Sequence, residues 1–114
     1  MKFARLSDNY SVATQIDPTD VAFFAEQGYA AIVCNRPDGE DAGQPPSADV
    51  EAECSRHGID FHMIPMQGRF ISPDTVELTR SVIDKSRGPV LAYCRSGTRS
   101  AMIWELATAG DRAP

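Results

Sequence analysis

The sequence lacks cysteines at the spacing of a metal site. Cys34, Cys54 and Cys94 are widely separated, and no Cys-x-x-Cys pattern occurs. This excludes a typical zinc site and a disulfide framework, so we expect no metal and no other cofactor. An odd number of scattered thiols favours the reducing cytoplasm as the location of the protein.

Long apolar runs and an excess of positive charge are also missing. No apolar run approaches the about 20 residues that span a bilayer. Residues 1–8 lack the apolar core of a signal peptide, which again favours the cytoplasm. The 114 residues carry a net charge of -5, which argues against nucleic acid or an anionic membrane surface as the main partner. A chain of this length is expected to form one domain over residues 1–114.

Short apolar runs alternate with segments that favour helices. The pattern predicts strands over 3–6, 10–13, 29–34, 59–66 and 90–93, and helices over 18–27, 48–57, 73–87 and 98–109. Ser47 is the expected N-cap of the second helix, and Leu78 is expected on the buried side of the third. The alternation predicts an α/β fold in which helices flank a central, mostly parallel sheet.

The most distinctive stretch connects the last strand to the last helix. Cys94 directly follows the apolar run 90–93. Gly97 and Arg99 come next, at the start of the predicted helix 98–109. Backbone N–H groups of a curled loop and of a helix start converge on an anion site. Such a site lowers the pKa of a thiol. We therefore predict that Cys94 and Arg99 are catalytic, and that the substrate-binding residues include Arg95, Ser96, Gly97, Thr98 and Ser100.

Two other loops follow predicted strands and contribute further candidates. Residues 35–46 form a loop rich in Pro and Gly, and Arg36 and Asp38 are either site-facing residues or a salt bridge within that loop. Arg69, in the loop after the fourth strand, is a candidate anion contact. Because α/β proteins place their sites at the carboxyl ends of strands, we include all three as substrate-binding candidates.

The stretch 94–100, Cys-Arg-Ser-Gly-Thr-Arg-Ser, resembles a rhodanese active-site loop. In that group four residues separate the cysteine from the arginine, as here. The backbone between them forms a narrow ring that suits a sulfane sulfur. In cysteine-dependent phosphatases five residues separate them, and the wider ring holds a phosphoryl group.

The rest of the chain resembles a bacterial family described as beta-lactamase hydrolase-like and phosphatase-like, also known as DUF442. Residues 10–15, 35–40 and 44–45 carry that resemblance together with the Cys94 loop. The resemblance implies a fold like that of a dual-specificity phosphatase, and members are named both as phosphatases and as sulfur transferases. Members can also be joined to a persulfide dioxygenase domain, which makes a protein of that type a candidate partner.

Phosphatases of this fold carry an aspartate that protonates the leaving alcohol, in the loop that corresponds here to residues 65–69. That loop contains no acidic residue. Asp38 or Glu40 could replace it if the long loop folds over the site. Sulfur transfer with sulfite as the leaving group needs no strong proton donor.

Ring size and the missing acid therefore favour a rhodanese-like sulfurtransferase, with a Cys94 persulfide formed from thiosulfate or another small anionic donor. The alternative is a phosphatase that acts through a Cys94 phosphocysteine. A non-catalytic anion-binding module is the weakest of the three hypotheses, because binding alone does not need a reactive thiol.

Overall fold

The chain folds as a five-stranded sheet between two pairs of helices. The structure, a computed structural model, describes residues 1–112 and the side chains of residues 1–110. Over that part of the chain no helix has the length and apolar character needed to cross a membrane. The strands are β1 (Phe3–Ser7), β2 (Tyr10–Ala13), β3 (Ala31–Cys34), β4 (Asp60–Met63) and β5 (Val90–Tyr93). The helices are α1 (Val21–Glu26), α2 (Ser47–Arg56), α3 (Pro73–Lys85) and α4 (Thr98–Thr108), with 3-10 turns at Pro18–Asp20 and Ala109–Arg112.

The strand order places β5 at the centre of the sheet. The order is β1-β2-β5-β3-β4, and every neighbouring pair is parallel except β1 and β2. Leu91 of β5 pairs with Ser11 on one side and Ile32 on the other. The predicted α/β fold with a mostly parallel sheet is confirmed. Since the carboxyl ends of the parallel strands meet at one edge, the loops that follow β3, β4 and β5 are neighbours.

Alternating side chains divide the core into two layers. Ile32 and Leu91 face the first layer, which also contains Phe24 of α1 and Val50 of α2. The opposite faces of β3 and β5 contribute to a second layer, with buried members from α3 and α4. Both central strands are buried on both faces, which explains why their sequences are almost continuously apolar.

The start of α2 differs from the prediction. Ser47 is the first residue of the helix and not its cap. The carboxylate of Asp38 accepts hydrogen bonds from the Ser47 backbone N–H, at 2.8 Å, and from its hydroxyl, at 2.7 Å. A side chain from the preceding loop therefore satisfies a free N–H of the helix start, a role that the sequence analysis gave to Ser47 itself.

The predicted burial of Leu78 is wrong. Its side chain is 54% exposed, whereas Thr79 and Val82 of the same helix are buried. Residues three apart share one face of a helix, and the face shared by Thr79 and Val82 is the one that packs inward. Leu78 precedes Thr79 by about 100° of rotation and so lies at the edge of that face.

Candidate active site

The Cys94 loop is attached to the end of β2 as well as to β5. The Cys94 N–H donates to the Ala13 carbonyl at 3.3 Å, and the Arg95 carbonyl accepts from the Gln15 N–H at 3.2 Å. Gly97 then has φ 90° and immediately precedes α4. Only glycine adopts this backbone conformation readily, so Gly97 allows the chain to turn around the sulfur into the helix.

The sulfur of Cys94 lies among hydrogen-bond donors. The Gly97 N–H donates to Sγ at 3.0 Å. Burial is the largest single influence on the Cys94 pKa and raises it, but hydrogen bonds from the Ser100 N–H and hydroxyl and from the Gly97 and Arg99 N–H groups outweigh it, so the pKa lies below its ordinary value. The environment therefore favours the thiolate, the nucleophilic form of cysteine.

Cys94 is also fully buried. The residues that follow it, Arg95, Ser96 and Thr98, are exposed, and the Ser96 hydroxyl donates to the Thr98 hydroxyl at 3.0 Å. The thiol is therefore closed to solvent in this conformation, although three residues of its loop are exposed. Of the predicted loop residues, the structure brings the amides of Gly97, Arg99 and Ser100 to the sulfur.

Asn35 is a site residue that the sequence analysis missed. It directly follows β3 and is 1% exposed. Its Nδ2 donates to the Ile64 carbonyl at 2.8 Å, and its Oδ1 accepts from the Ser100 hydroxyl at 2.8 Å. A polar residue directly after a buried strand was the signal in the sequence that could have marked it as a candidate, although not its contact with Ser100.

The single hydroxyl proton of Ser100 has two acceptors within reach. A carbonyl oxygen cannot donate, so the Asn35 amide must direct its NH₂ group to Ile64 and its oxygen to Ser100. The proton can then bind Asn35 Oδ1 or the Cys94 sulfur, but not both at once. The backbone N–H groups of Gly97, Arg99 and Ser100 stabilise the thiolate whichever acceptor the hydroxyl takes.

Arg99 is held along one edge of its guanidinium group. Glu40 accepts from Nη1 at 2.7 Å and from Nη2 at 2.8 Å, and the Met66 carbonyl accepts from Nη1 at 3.1 Å. These three bonds leave the Nε–H and one Nη2 hydrogen for other acceptors. The pKa of Arg99 is raised, first by the hydrogen bonds to Glu40 and also by the nearby Cys94 sulfur.

Arg36 joins the long loop to the site from inside the protein. Its side chain is 3% exposed, and its three nitrogens donate to Glu40 at 2.9 Å, Gln15 at 2.9 Å and Asp41 at 2.7 Å. Asp41 also lies 3.6 Å from Nε of Arg95. Arg36 therefore shares carboxylates with both arginines of the Cys94 loop and fixes the long loop against it.

Asp38 and Glu40, the two acids that the sequence offered as proton donors, are both carboxylates engaged by other groups. Asp38 binds Ser47 at the start of α2, and those hydrogen bonds lower its pKa. The hydrogen bond from Arg99, followed by that from Arg36, lowers the pKa of Glu40 to about 2. Both groups are ionised at neutral pH.

Arg69 lies beside Arg99 on a cavity of about 410 Å³. The cavity is lined by Met66, Gly68, Arg69, Thr98, Arg99 and Met102. A second cavity, of about 540 Å³, lies between β4 and α3 and has no residue of the Cys94 loop in its lining.

The other two cysteines lie in the core. Cys34 and Cys54 are buried, as expected for packing residues, and burial raises the pKa of Cys54 to about 12. Of the three thiols, only that of Cys94 has a lowered pKa.

The sequence matches a known family over almost its whole length. The model of the family described as "Beta-lactamase hydrolase-like protein, phosphatase-like domain" matches residues 2–111. A beta-lactamase hydrolase-like protein of Agrobacterium fabrum is 31% identical over 111 residues, which are 97% of this chain and 26% of that protein. The chain therefore spans about a quarter of the curated relative that it matches.

Solved structures have the same fold. A crystal structure from Neisseria meningitidis, described as that of a candidate phosphatase, superposes with a TM-score of 0.85 at 34% identity and covers 96% of this chain and 78% of that one. The catalytic core of the PP-IP phosphatase SIW14 from S. cerevisiae, solved with citrate, superposes with a TM-score of 0.64 at 14% identity, covering 94% and 74% of the two chains. The fold is that of the cysteine phosphatases. The matching family is described as a phosphatase-like domain and the Neisseria meningitidis structure as that of a candidate phosphatase, so the comparisons favour the alternative hypothesis of the sequence analysis over its main one.

Proposed function

The chain belongs to the family of phosphatase-like domains of beta-lactamase hydrolase-like proteins, and from this premise we propose that it is a cysteine-dependent phosphatase for small anionic phosphate esters. The observation that carries the proposal is the position of the Cys94 sulfur at the start of α4, where it accepts from the Gly97 N–H at 3.0 Å; these amide donors also hold the pKa of the thiol below its ordinary value. A thiolate among amide donors is suited both to attack phosphorus and to attract the anionic group that carries it.

In the first step Cys94 Sγ attacks phosphorus and forms an S–P bond. The P–O bond to the leaving group breaks, and its electron pair goes to the leaving oxygen. The free edge of Arg99 and the amides of residues 95–99 bind the phosphoryl oxygens, where charge develops in the transition state. The side chains that contact the substrate are those of Arg95, Ser96, Thr98 and Arg69. Ser100 acts indirectly, because its hydrogen bonds stabilise the Cys94 thiolate. Arg36 and Asp38 support the long loop, which is the structural one of the two alternatives that the sequence left open for them.

In the second step water attacks the phosphocysteine. The thiolate departs with the electrons of the S–P bond, and both water protons stay on the product as dihydrogen phosphate. Because Cys94 is fully buried in this conformation, we expect the loop that carries the exposed residues Arg95, Ser96 and Thr98 to adjust when a substrate binds. An incoming anion competes with two carboxylates for the arginines of this loop. Asp41 pairs with Arg95, and Glu40 pairs with Arg99.

Sulfur transfer is a second candidate function, because only four residues separate Cys94 from Arg99. In that reaction Sγ attacks the outer sulfur of thiosulfate, the S–S bond breaks, and sulfite leaves with the electron pair. A second thiolate or cyanide then takes the sulfane sulfur from the Cys94 persulfide. A persulfide dioxygenase-type partner would use the persulfide of a small thiol formed in this way.

Parallel assays distinguish the two functions. Wild type, Cys94→Ser and Cys54→Ser are each supplied with nitrophenyl phosphate and, separately, with thiosulfate and cyanide. We expect phosphate release from wild type and Cys54→Ser, none from Cys94→Ser, and a phosphate adduct on Cys94 in rapidly quenched samples analysed by mass spectrometry. Thiocyanate formation that depends on Cys94, without phosphate release, would instead establish sulfur transfer.

A further inference from the structure

Every carboxylate of the long loop is already bound to a positive or hydroxyl group. Glu40 binds Arg99 and Arg36, Asp41 binds Arg36, and Asp38 binds Ser47. The Glu40 contact with Arg99 is bidentate, with bonds of 2.7 and 2.8 Å. A carboxyl group that is to protonate a leaving oxygen must itself carry a proton, and a bidentate contact with arginine, as that of Glu40, favours the ionised form.

The loop after β4 supplies no acid either. It carries Gln67, Gly68 and Arg69, and Asp74 lies beyond it in the first turn of α3. The cavity beside Arg99 has two arginines and no carboxyl group in its lining. Among the phenols that the structure describes in the core, Tyr10 and Tyr93 are fully buried, and burial raises the pKa of each.

We propose that the substrates are phosphate derivatives whose leaving group departs as a stable anion, without a proton from the protein. This inference rests on the proposed phosphatase function and specifies the substrate class of the same site. The class includes esters of acidic phenols, acyl phosphates and phosphoanhydrides, whose leaving groups are a phenolate, a carboxylate and a phosphate. Simple alkyl esters, such as those of serine, are outside it because an alkoxide is too basic to leave unprotonated.

The electrons balance without a protein proton. Sγ donates a pair to phosphorus, the P–O bond breaks, and the leaving oxygen keeps its pair and its negative charge. Arg69 and Arg99 border the adjoining cavity, where positive charge stabilises a departing anion. The arginines thus replace protonation with electrostatic stabilisation.

The test is the dependence of rate on the leaving group. Wild-type protein is assayed at pH 7 with dinitrophenyl, nitrophenyl and phenyl phosphate, which present the same phosphoryl group with increasingly basic leaving groups. We expect kcat/KM to fall by about 1,000-fold from the first ester to the last, since a positioned proton donor contributes about 100- to 10,000-fold and the described residues place none at this site. A fall of less than about tenfold would show that a general acid acts on the leaving oxygen and would overturn the inference.

Variants of the long loop, residues 35–46, provide a second measurement. Asp41→Asn and Glu40→Gln are expected to change the rates with all three esters by a common factor, because neither carboxyl donates a proton. A variant that loses activity only with phenyl phosphate would identify the missing acid and contradict the inference. These outcomes are distinct from failure of the proposed function, which would appear as no phosphate release dependent on Cys94 even from dinitrophenyl phosphate.

Discussion

The hydroxyl of Ser100 is one of the groups that hold the Cys94 pKa below its ordinary value. We expect Ser100→Ala to raise that pKa and to lower kcat/KM for nitrophenyl phosphate about tenfold at neutral pH, because a hydrogen bond to a charged group contributes about 1.5–3 kcal/mol. Ultraviolet absorbance of the thiolate, titrated against pH with Cys94→Ser subtracted, measures the shift. Ser81→Ala on α3 is the matched control, and identical titrations of the two variants would contradict the prediction.

Asn35 is expected to have the opposite effect on the same group. Asn35→Ala removes the acceptor at 2.8 Å from the Ser100 hydroxyl, so the proton becomes free to donate to the sulfur and the Cys94 pKa falls below that of the wild type. The Ile64 carbonyl loses its Asn35 donor, which costs about 1–3 kcal/mol of unfolding free energy in urea titrations. In a Ser100→Ala background the substitution should leave the Cys94 pKa unchanged; a shift there would mean that Asn35 acts by another route.

At the level of single residues, the sequence predicted the groups that neighbour Cys94 along the chain. Gly97, Arg99 and Ser100 are within six positions of the thiol, and their amides reach it because a loop and a helix start must curve around that point. Asn35 is 65 positions from Ser100. Nothing local to its sequence position shows which strand lies beside β5, so its role required the sheet order.

The loop between β3 and α2 is the element that connects most of the site. Glu40 bridges Arg36 and Arg99, Asp41 bridges Arg36 and Arg95, and Asp38 binds the start of α2. The sequence predicted a loop here from its Pro and Gly residues, and it named Arg36 and Asp38. It could not predict which carboxylate meets which arginine, because in an irregular segment no periodicity relates position to direction.

Glu40 makes part of the stability of this element depend on pH. Its pKa is about 2 in the folded protein against an ordinary 4.5. A carboxyl with a lowered folded pKa stabilises the protein above the unfolded value, and that contribution is lost as pH falls from 4.5 toward 2. Because the Glu40 side chain is 30% exposed, we expect the contribution at neutral pH to be only about 1 kcal/mol.

Urea unfolding of wild type and Glu40→Gln at pH 7 and at pH 3 measures this dependence. The wild type should be the more stable at pH 7, and the difference should shrink at pH 3. Glu77→Gln, on the exposed surface of α3, is the control for loss of an acidic side chain. A difference between wild type and Glu40→Gln that stays constant between the two pH values would contradict the prediction.

At the scale of the whole molecule, we expect the central strand that carries the site to contribute strongly to stability. Leu91 of β5 is fully buried between β2 and β3. We expect Leu91→Ala to lower the free energy of unfolding by about 2–5 kcal/mol, because it leaves a cavity in the core. Leu78→Ala, at a leucine that is 54% exposed, should change it by about 0.5 kcal/mol or less. Urea titrations of the two variants give the comparison, and equal losses would be inconsistent with this core.

The sequence predicted the fold of the whole molecule better than its function. Short apolar runs such as 90–93 are apolar because the strands that they form are buried, so the sequence itself indicates where the strands lie. The choice between sulfur and phosphorus chemistry depends on the shape of the Cys94 loop. Four intervening residues favoured sulfur, whereas the relatives and the fold favour a phosphatase.

The complete burial of Cys94 also affects how the resting protein meets oxidants. Peroxide converts a thiolate to a sulfenic acid only when it reaches the sulfur. Burial therefore protects the thiolate from peroxide in the resting protein, and we expect oxidation of Cys94 to be fastest under conditions that loosen the loop around it.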